Sequence, residues 1–292
     1  MSAAKLPVAI VGLGQMGQGI ARALDRAGHL VVASDRDPAQ FAACDFSDAV
    51  TDGDVLRTAK VLFFVVPSTA QIEGFLGDST ADDCIIVDLT TSNPQASIAL
   101  AAKLKPRGFS YVDAAMTGGA AGADAGTLTL MMGGDPEVIA QIDDVLDVIS
   151  SQRFRMGDIG AGHAMKLVHN LILHSSFMAT CEGLSLAQRA GLDVAAATEV
   201  LNAGNARSFV TEVRFPRDIL SGTMNARSRI SNLEKDMALA RDFASDLNGP
   251  APYTAMTQAL LSTACEQGDA ARDFSWLFAM FSDLATKQEP AT

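Results

Sequence analysis

Gly12-Leu13-Gly14-Gln15-Met16-Gly17 is the stretch that decides the fold. It follows the apolar run Val8 to Val11 and opens a segment, Gln15 to Ala27, in which apolar and small residues recur at helical spacing until Gly28. A second apolar run, Leu30 to Ala33, then ends at Ser34-Asp35. Strand, helix and strand within about 30 residues is the setting in which G-x-G-x-x-G holds a dinucleotide. The first glycine permits the tight turn, the second lets the backbone approach a pyrophosphate, and the third lets helix and strand pack closely. Free N–H groups at the helix start then face the phosphates.

Asp35 ends the second strand. A carboxylate there accepts hydrogen bonds from the adenosine ribose and repels a 2′-phosphate, which favours NAD. Arg36 acts in the opposite direction, since a guanidinium can pair with that phosphate, so NADP stays open.

Further short apolar runs follow at Val61–Val66, Ile85–Val87 and Phe109–Val112, with helical stretches such as Pro94 to Leu104 between them. This alternation predicts an α/β, doubly wound, mostly parallel sheet of the Rossmann type over residues 1–160. The pattern changes near Gly160. His163 to Ala190 is one long periodic stretch, and helices are expected near Val194–Leu201, Ile230–Leu247, Tyr253–Gln267 and Trp276–Lys287. Residues 161–292 therefore read as an all-α domain that begins with a long interdomain helix. The tail, Gln288 to Thr292, is expected to fray. At roughly 100–200 residues per domain, a chain of 292 residues suits two domains.

Bulk properties narrow the partners. Formal net charge is −12, from 22 basic and 34 acidic residues. Such a surface repels a phosphate backbone, so no nucleic acid partner is expected. The longest apolar run, about seven residues around Val61 to Pro67, falls well short of the about 18 that a membrane span needs. No signal-type segment is evident, so the cytoplasm is the expected location. Cys44, Cys84, Cys181 and Cys265 form no C-x-x-C pair, which predicts free buried thiols and no metal site.

A second informative stretch is Gly160-Ala161-Gly162-His163-Ala164-Met165-Lys166-Leu167-Val168-His169-Asn170. Residues four apart share a helix face, so Lys166 and Asn170 project together. A lysine in a partly desolvated cleft has its pKa lowered toward neutrality and can exchange a proton with a hydroxyl or carbonyl. By spacing alone, however, a lysine near a helix start is usually a solvated cation. Asp113-Ala114-Ala115-Met116-Thr117-Gly118-Gly119 offers a hydroxyl and exposed N–H groups that suit a carboxylate, or an ordinary turn. Lys235-Asp236 sits in an otherwise ordinary amphipathic helix.

Together these segments resemble the β-hydroxyacid dehydrogenase family, to which the 3-hydroxyisobutyrate dehydrogenases belong, with the two-domain fold of 6-phosphogluconate dehydrogenases. The family patterns G-L-G-x-M-G, D-A-P-V-S-G-G, G-x-G-x-x-x-K-x-x-x-N and K-D-L-x-L-A recur here in order. Val66-Pro67, Asp88-Leu89-Thr90-Thr91-Ser92-Asn93-Pro94 and the G-T-L-T hairpin at Ala125 to Met131 extend the likeness over essentially the whole chain. The resemblance implies NAD(P)-dependent, reversible hydride transfer at the β-hydroxyl of a small anionic hydroxy acid. Lys166 becomes the general acid/base and Asn170 its orienting partner. Thr117, Gly118 and Gly119 become the carboxylate cradle. Gly12, Leu13, Gly14, Gln15, Met16, Gly17, Asp35, Arg36, Val66, Pro67, Thr91 and Lys235 become the cofactor contacts. A homodimer or homotetramer is implied as well.

Departures leave the substrate open. Thr117 stands where serine is usual, and Ala115-Met116 where Pro-Val is usual. His169 resembles the threonate dehydrogenase branch or is a core or supporting histidine, and Arg207, Arg214 and Arg217 lie where family members tune specificity, one of them to meet a second anionic group or each a solvated cation. Alternatives are a reductase of tartronate or succinic semialdehyde, a threonate-type sugar-acid dehydrogenase, and a non-catalytic dinucleotide-binding module. Retention of Lys166 argues against the last and against the related imine reductases.

Overall fold

A computed structural model describes residues 5–47, 50 and 54–286. The chain divides into two compact units, Met1–Lys166 and Leu167–Thr292. The sequence places the change of pattern slightly earlier, near Gly160. Lys287 and the tail from Gln288 lie outside the described residues.

In the first unit, β1 (Val8–Val11) leads into α1 (Gln15–Arg26) and β2 (Leu30–Ser34). Two short helices follow, α2 (Pro38–Ala42) and α3 (Val55–Thr58), then β3 (Val61–Phe64), α4 (Thr69–Leu76), β4 (Cys84–Asp88) and α5 (Pro94–Leu104). The unit continues with β5 (Phe109–Thr117), α6 (Gly119–Ala125), β6 (Leu128–Gly133), α7 (Pro136–Gln141), α8 (Asp143–Ile149) and β7 (Ser150–Gly157). The sheet order is β2-β1-β3-β4-β5-β6-β7. The first five strands are parallel, β6 is antiparallel to β5, and β7 is parallel to β6.

Every residue of β1, β3 and β4 is buried. Strands covered on both faces have no polar side to alternate with, which is why they read as continuous apolar runs. The topological switch falls between β1 and β3, because the chain leaves β1 for β2 on one side and returns to β3 on the other. The carboxyl-end loops of β1, β3, β4 and β5 therefore lie along one edge of the sheet. In open α/β sheets that edge, beside the switch, is where ligands bind.

Three stretches depart from the sequence expectation. β3 stops at Phe64, so Val65 to Pro67 is a loop at the switch point. No tight hairpin joins β5 to β6, because α6 intervenes and β6 returns antiparallel after it. β7 carries the exposed Arg155 and the half-buried Arg153 and no apolar run, as befits an edge strand, and its sequence gave no strand signal.

The second unit contains most of α9 (Ala161–Arg189), then α10 (Val194–Ala203), a π-helix (Val210–Leu220), α11 (Ile230–Asp246), α12 (Pro252–Ala264) and α13 (Leu277–Thr286). The π-helix holds Pro216. Proline lacks an N–H and argues against a regular helix, so periodicity does not reveal this one. Few aromatics serve the chain, and several gather here: Phe177 meets Phe274 edge-on at 5.1 Å, and Phe215 meets Phe278 at 5.2 Å. All four cysteines are free; Cys84 and Cys181 are buried, whereas Cys44 and Cys265 are half-buried, against the expectation of burial for all four. No described helix is long and apolar enough to cross a membrane, and no described cluster of residues could hold a metal ion.

Strand β3 lies inside the sheet and places Phe63, fully buried, in the core of the first unit. Phe63→Ala is expected to cost about 3–5 kcal/mol, read as a lowered urea midpoint by circular dichroism.

Candidate active site

The glycine loop is built by close approach. Gly12 has φ +99°, and a Cβ there would lie 2.3 Å from the Val65 carbonyl oxygen at the strand switch. A Cβ on Gly17 would lie 1.9 Å from the Gly12 carbonyl oxygen. Gly14 differs: its φ is −67°, and a Cβ would meet nothing within 4 Å. Sterics within the chain thus require two of the glycines, while the middle one leaves open space. No side chain caps the N-terminus of α1, which leaves its first-turn N–H groups to a ligand. Space and donors together fit a pyrophosphate.

The Asp35 carboxylate accepts the Leu13 N–H at 2.6 Å and the Asp37 N–H at 2.9 Å. It ties the end of β2 to the glycine loop. Arg36 is exposed. Val66 is half-buried, with its Cγ1 3.1 Å from the Cβ position of Gly12, and Pro67 is exposed beside it. After β4, Thr90 donates its N–H to Asp88 Oδ1 at 2.8 Å, and its buried hydroxyl has no partner. Thr91 is half-buried next to it. After β5, Thr117 is half-buried, while Gly118 (φ +121°) and Gly119 (φ +66°) are exposed and left-handed. All of these residues lie along the carboxyl edge.

The start of α9 is fastened to that edge by buried groups. Asp113 lies in β5 opposite Asp88, the last residue of β4. Its carboxylate, fully buried, accepts the Gly160 N–H at 2.7 Å and the His163 N–H at 2.9 Å. Burial pushes the Asp113 carboxyl upward, while His163 and the two backbone donors pull it down. Gly162 is required because a Cβ would lie 2.3 Å from the Met131 carbonyl oxygen and 2.8 Å from Asp113 Oδ2. Lys166 follows within the next turn and is nine-tenths buried.

In the second unit, Asn170 stands one turn beyond Lys166 on α9. Its Nδ2 donates to Asp236 Oδ2 at 2.7 Å, and His169 Nδ1 lies 3.0 Å from its Oδ1. Lys235 pairs with the same Asp236 at 2.9 Å, and His174 Nε2 lies 3.7 Å from it. Asp236 thus joins Asn170 and Lys235, with His174 facing it; His174 was not singled out from the sequence, although the i, i+4 step from Asn170 put it on the same helix face. Arg214 and Arg217 both pair with the buried Asp218, at 3.4 Å and 2.7 Å. Arg214 also stacks over Phe274 at 5.2 Å. Arg207 pairs with Glu212 at 3.5 Å.

Fold and glycine loop define a dinucleotide-binding protein of the Rossmann class. Residues 7–157 match the family model described as the NAD-binding domain of 6-phosphogluconate dehydrogenase. Residues 160–281 match the one described as NAD-binding of NADP-dependent 3-hydroxyisobutyrate dehydrogenase. The chain belongs to the β-hydroxyacid dehydrogenase family, NAD- or NADP-dependent oxidoreductases acting on hydroxyl groups. It is 29% identical over 288 residues to 2-(hydroxymethyl)glutarate dehydrogenase of Eubacterium barkeri, covering 96% of both chains. It is 28% identical to the mitochondrial 3-hydroxyisobutyrate dehydrogenase of Drosophila melanogaster, over 97% of this chain and 90% of that one. The solved structure of Mycobacterium tuberculosis 3-hydroxyisobutyrate dehydrogenase with L-serine superposes with a TM-score of 0.85 at 23% identity, covering 95% and 99% of the two chains.

The different environments of the glycines separate binding from folding. Gly14→Ala should fold normally and weaken NADH binding by about tenfold or more, because the added methyl occupies the open space. Gly17→Ala should instead lower the melting temperature by about 5 °C or more. Fluorescence titration with NADH and thermal melts distinguish the two.

Proposed function

We propose that the protein catalyses reversible oxidation of the β-hydroxyl of a small anionic hydroxy acid, with Lys166 as general acid/base. The observation that supports this most is a nine-tenths buried lysine on the helix whose first turn Asp113 ties to the cofactor edge. A buried amine on that helix is placed to exchange a proton with a substrate hydroxyl. When bound, the nicotinamide supplies the hydride acceptor or donor. The glycine loop, Gly12 to Gly17, holds the pyrophosphate, Asp35 the adenosine ribose, and Val66, Pro67 and Thr91 line the remainder. Thr117, Gly118 and Gly119 receive the substrate carboxylate, and Asn170, held by Asp236, turns its second amide hydrogen to the reacting oxygen. Lys235 reaches cofactor or substrate. Asp35 favours NAD over NADP.

Two relatives are named for hydroxymethylglutarate and hydroxyisobutyrate, which supports a reading in which the substrate is a short hydroxy acid or the matching semialdehyde. His169 beside the Asn170 amide favours a second reading, a sugar acid with a further hydroxyl. The reading includes the cytoplasm and a homodimer or homotetramer. Exposed apolar side chains such as Leu186, Leu192 and Val200 on the helical unit support assembly.

Purified protein should reduce NAD, followed as NADH absorbance, with at least one of 3-hydroxyisobutyrate, 3-hydroxypropionate, glycerate, threonate, 2-(hydroxymethyl)glutarate, 4-hydroxybutyrate or a sulfonate analogue. NADP is run in parallel. Lys166→Ala should lose about 10²–10⁴-fold in kcat while binding NADH normally; near-normal turnover in that variant would sink the assignment of the base.

A further inference from the structure

The buried groups around the start of α9 form one network, in which the mechanism above assigns His163 and Ser97 no role. His163 is fully buried at its centre. Its backbone N–H reaches Asp113 of β5 at 2.9 Å. Its ring Nδ1 lies 2.7 Å from Ser97 Oγ of α5, itself fully buried. Its Nε2 faces Asp88 Oδ1 at 3.8 Å and has no hydrogen-bond partner. Asp88 ends β4, accepts the Tyr111 hydroxyl from β5, and holds the Thr90 N–H at 2.8 Å. One imidazole thus touches α5, faces the strand end that sets the Thr90–Thr91 loop, and sits one turn before Lys166.

We infer that His163 is a positioning residue, holding the helix turn that carries Lys166 in register with the loop after β4 that lines the nicotinamide. The inference rests on the Lys166 and Thr91 roles proposed above. Proton acceptor and hydride acceptor must address one carbinol together, the proton leaving its oxygen and the hydride its carbon, so their relative placement bears directly on the rate. A misplacement on the order of 1 Å costs about a hundredfold. An apolar residue of similar volume would fill the same space. The polar ring adds direction, since Ser97 fixes its orientation and a buried polar nitrogen aimed at Asp88 resists rotation of the turn.

The test compares His163→Ala, His163→Leu and His163→Asn with Ser97→Ala, using the best hydroxy acid of the panel and its deuterated form at the reacting carbon. His163→Ala and His163→Leu should lose about tenfold to a hundredfold in kcat, with the NADH dissociation constant and the substrate KM within about threefold of wild type. The primary deuterium isotope effect on kcat should rise, because hydride transfer becomes rate-limiting. His163→Asn keeps a polar atom near the Nδ1 position and should recover most of the rate, while Ser97→Ala should show a smaller loss of the same kind. A folded His163→Leu with wild-type kcat and isotope effect overturns the inference. So does a loss confined to melting temperature or to NADH affinity. If His163→Ala and His163→Leu fail to fold, Ser97→Ala and His163→Asn decide, and wild-type kinetics in both also overturn it. Loss of activity in Lys166→Ala alongside wild-type His163 variants rejects the positioning role and leaves the base in place. An active Lys166→Ala rejects the base itself.

Discussion

The Asp113 carboxylate is the contact on which the active-site end of the sheet unit depends. It is fully buried and accepts two backbone N–H groups from the start of α9. A buried charge is tolerated only when its oxygens are occupied, and N–H donors at a helix start satisfy it while relieving their own lack of partners. Hydrogen bonds to a charged group contribute about 1.5–3 kcal/mol each. Strand β5, which contributes Asp113, also runs into Thr117-Gly118-Gly119. One strand therefore anchors the helix that bears Lys166 and delivers the loop proposed to hold the carboxylate.

Two glycine motifs solve related problems by different means. In the first, Gly12 and Gly17 let backbone meet backbone, and Gly14 leaves room for something outside the chain. In the second, Gly160 is left-handed, and Gly162 admits both the Met131 carbonyl and the Asp113 carboxylate. Neither of these last two glycines fronts open space. The first motif thus leaves open space at one glycine, and the second is wholly a packing motif that sets where the helix turn bearing Lys166 begins.

Much of this was legible from residues alone. The Gly12–Gly17 loop, its flanking strand and helix, and the pairing of Lys166 with Asn170 on one face follow from periodicities of two kinds and from glycine spacing. What stayed hidden required contacts between distant segments. Nothing near Asp113 in sequence shows that its oxygens meet Gly160 and His163. The association of His163 with Ser97 joins α5 to α9 through the fold alone. Val65 and Val66 belong to an apolar run and read as strand, yet the sheet releases them at the switch point, where the Val65 carbonyl meets Gly12. The π-helix around Pro216 was invisible because its winding follows neither helical period nor propensity.

The arginines show how tertiary pairing revises a reading based on charge. Arg214 and Arg217 are cations in a chain of net charge −12, and their place in the resemblance left each open as a contact for a second anionic group or a solvated cation. The fold brings both to Asp218, which is buried. Burial and the neighbouring Arg217 push the Arg214 guanidinium below its ordinary range, while Asp218 pulls it back. Two cations sharing one carboxylate leave a surplus of one positive charge, but Arg214 is spent on Asp218 and on the Phe274 face. Arg217, half-exposed at its side chain, carries the surplus toward solvent. An anionic partner at this place would meet Arg217 and not Arg214, whose work is to hold the π-helix against the aromatic core.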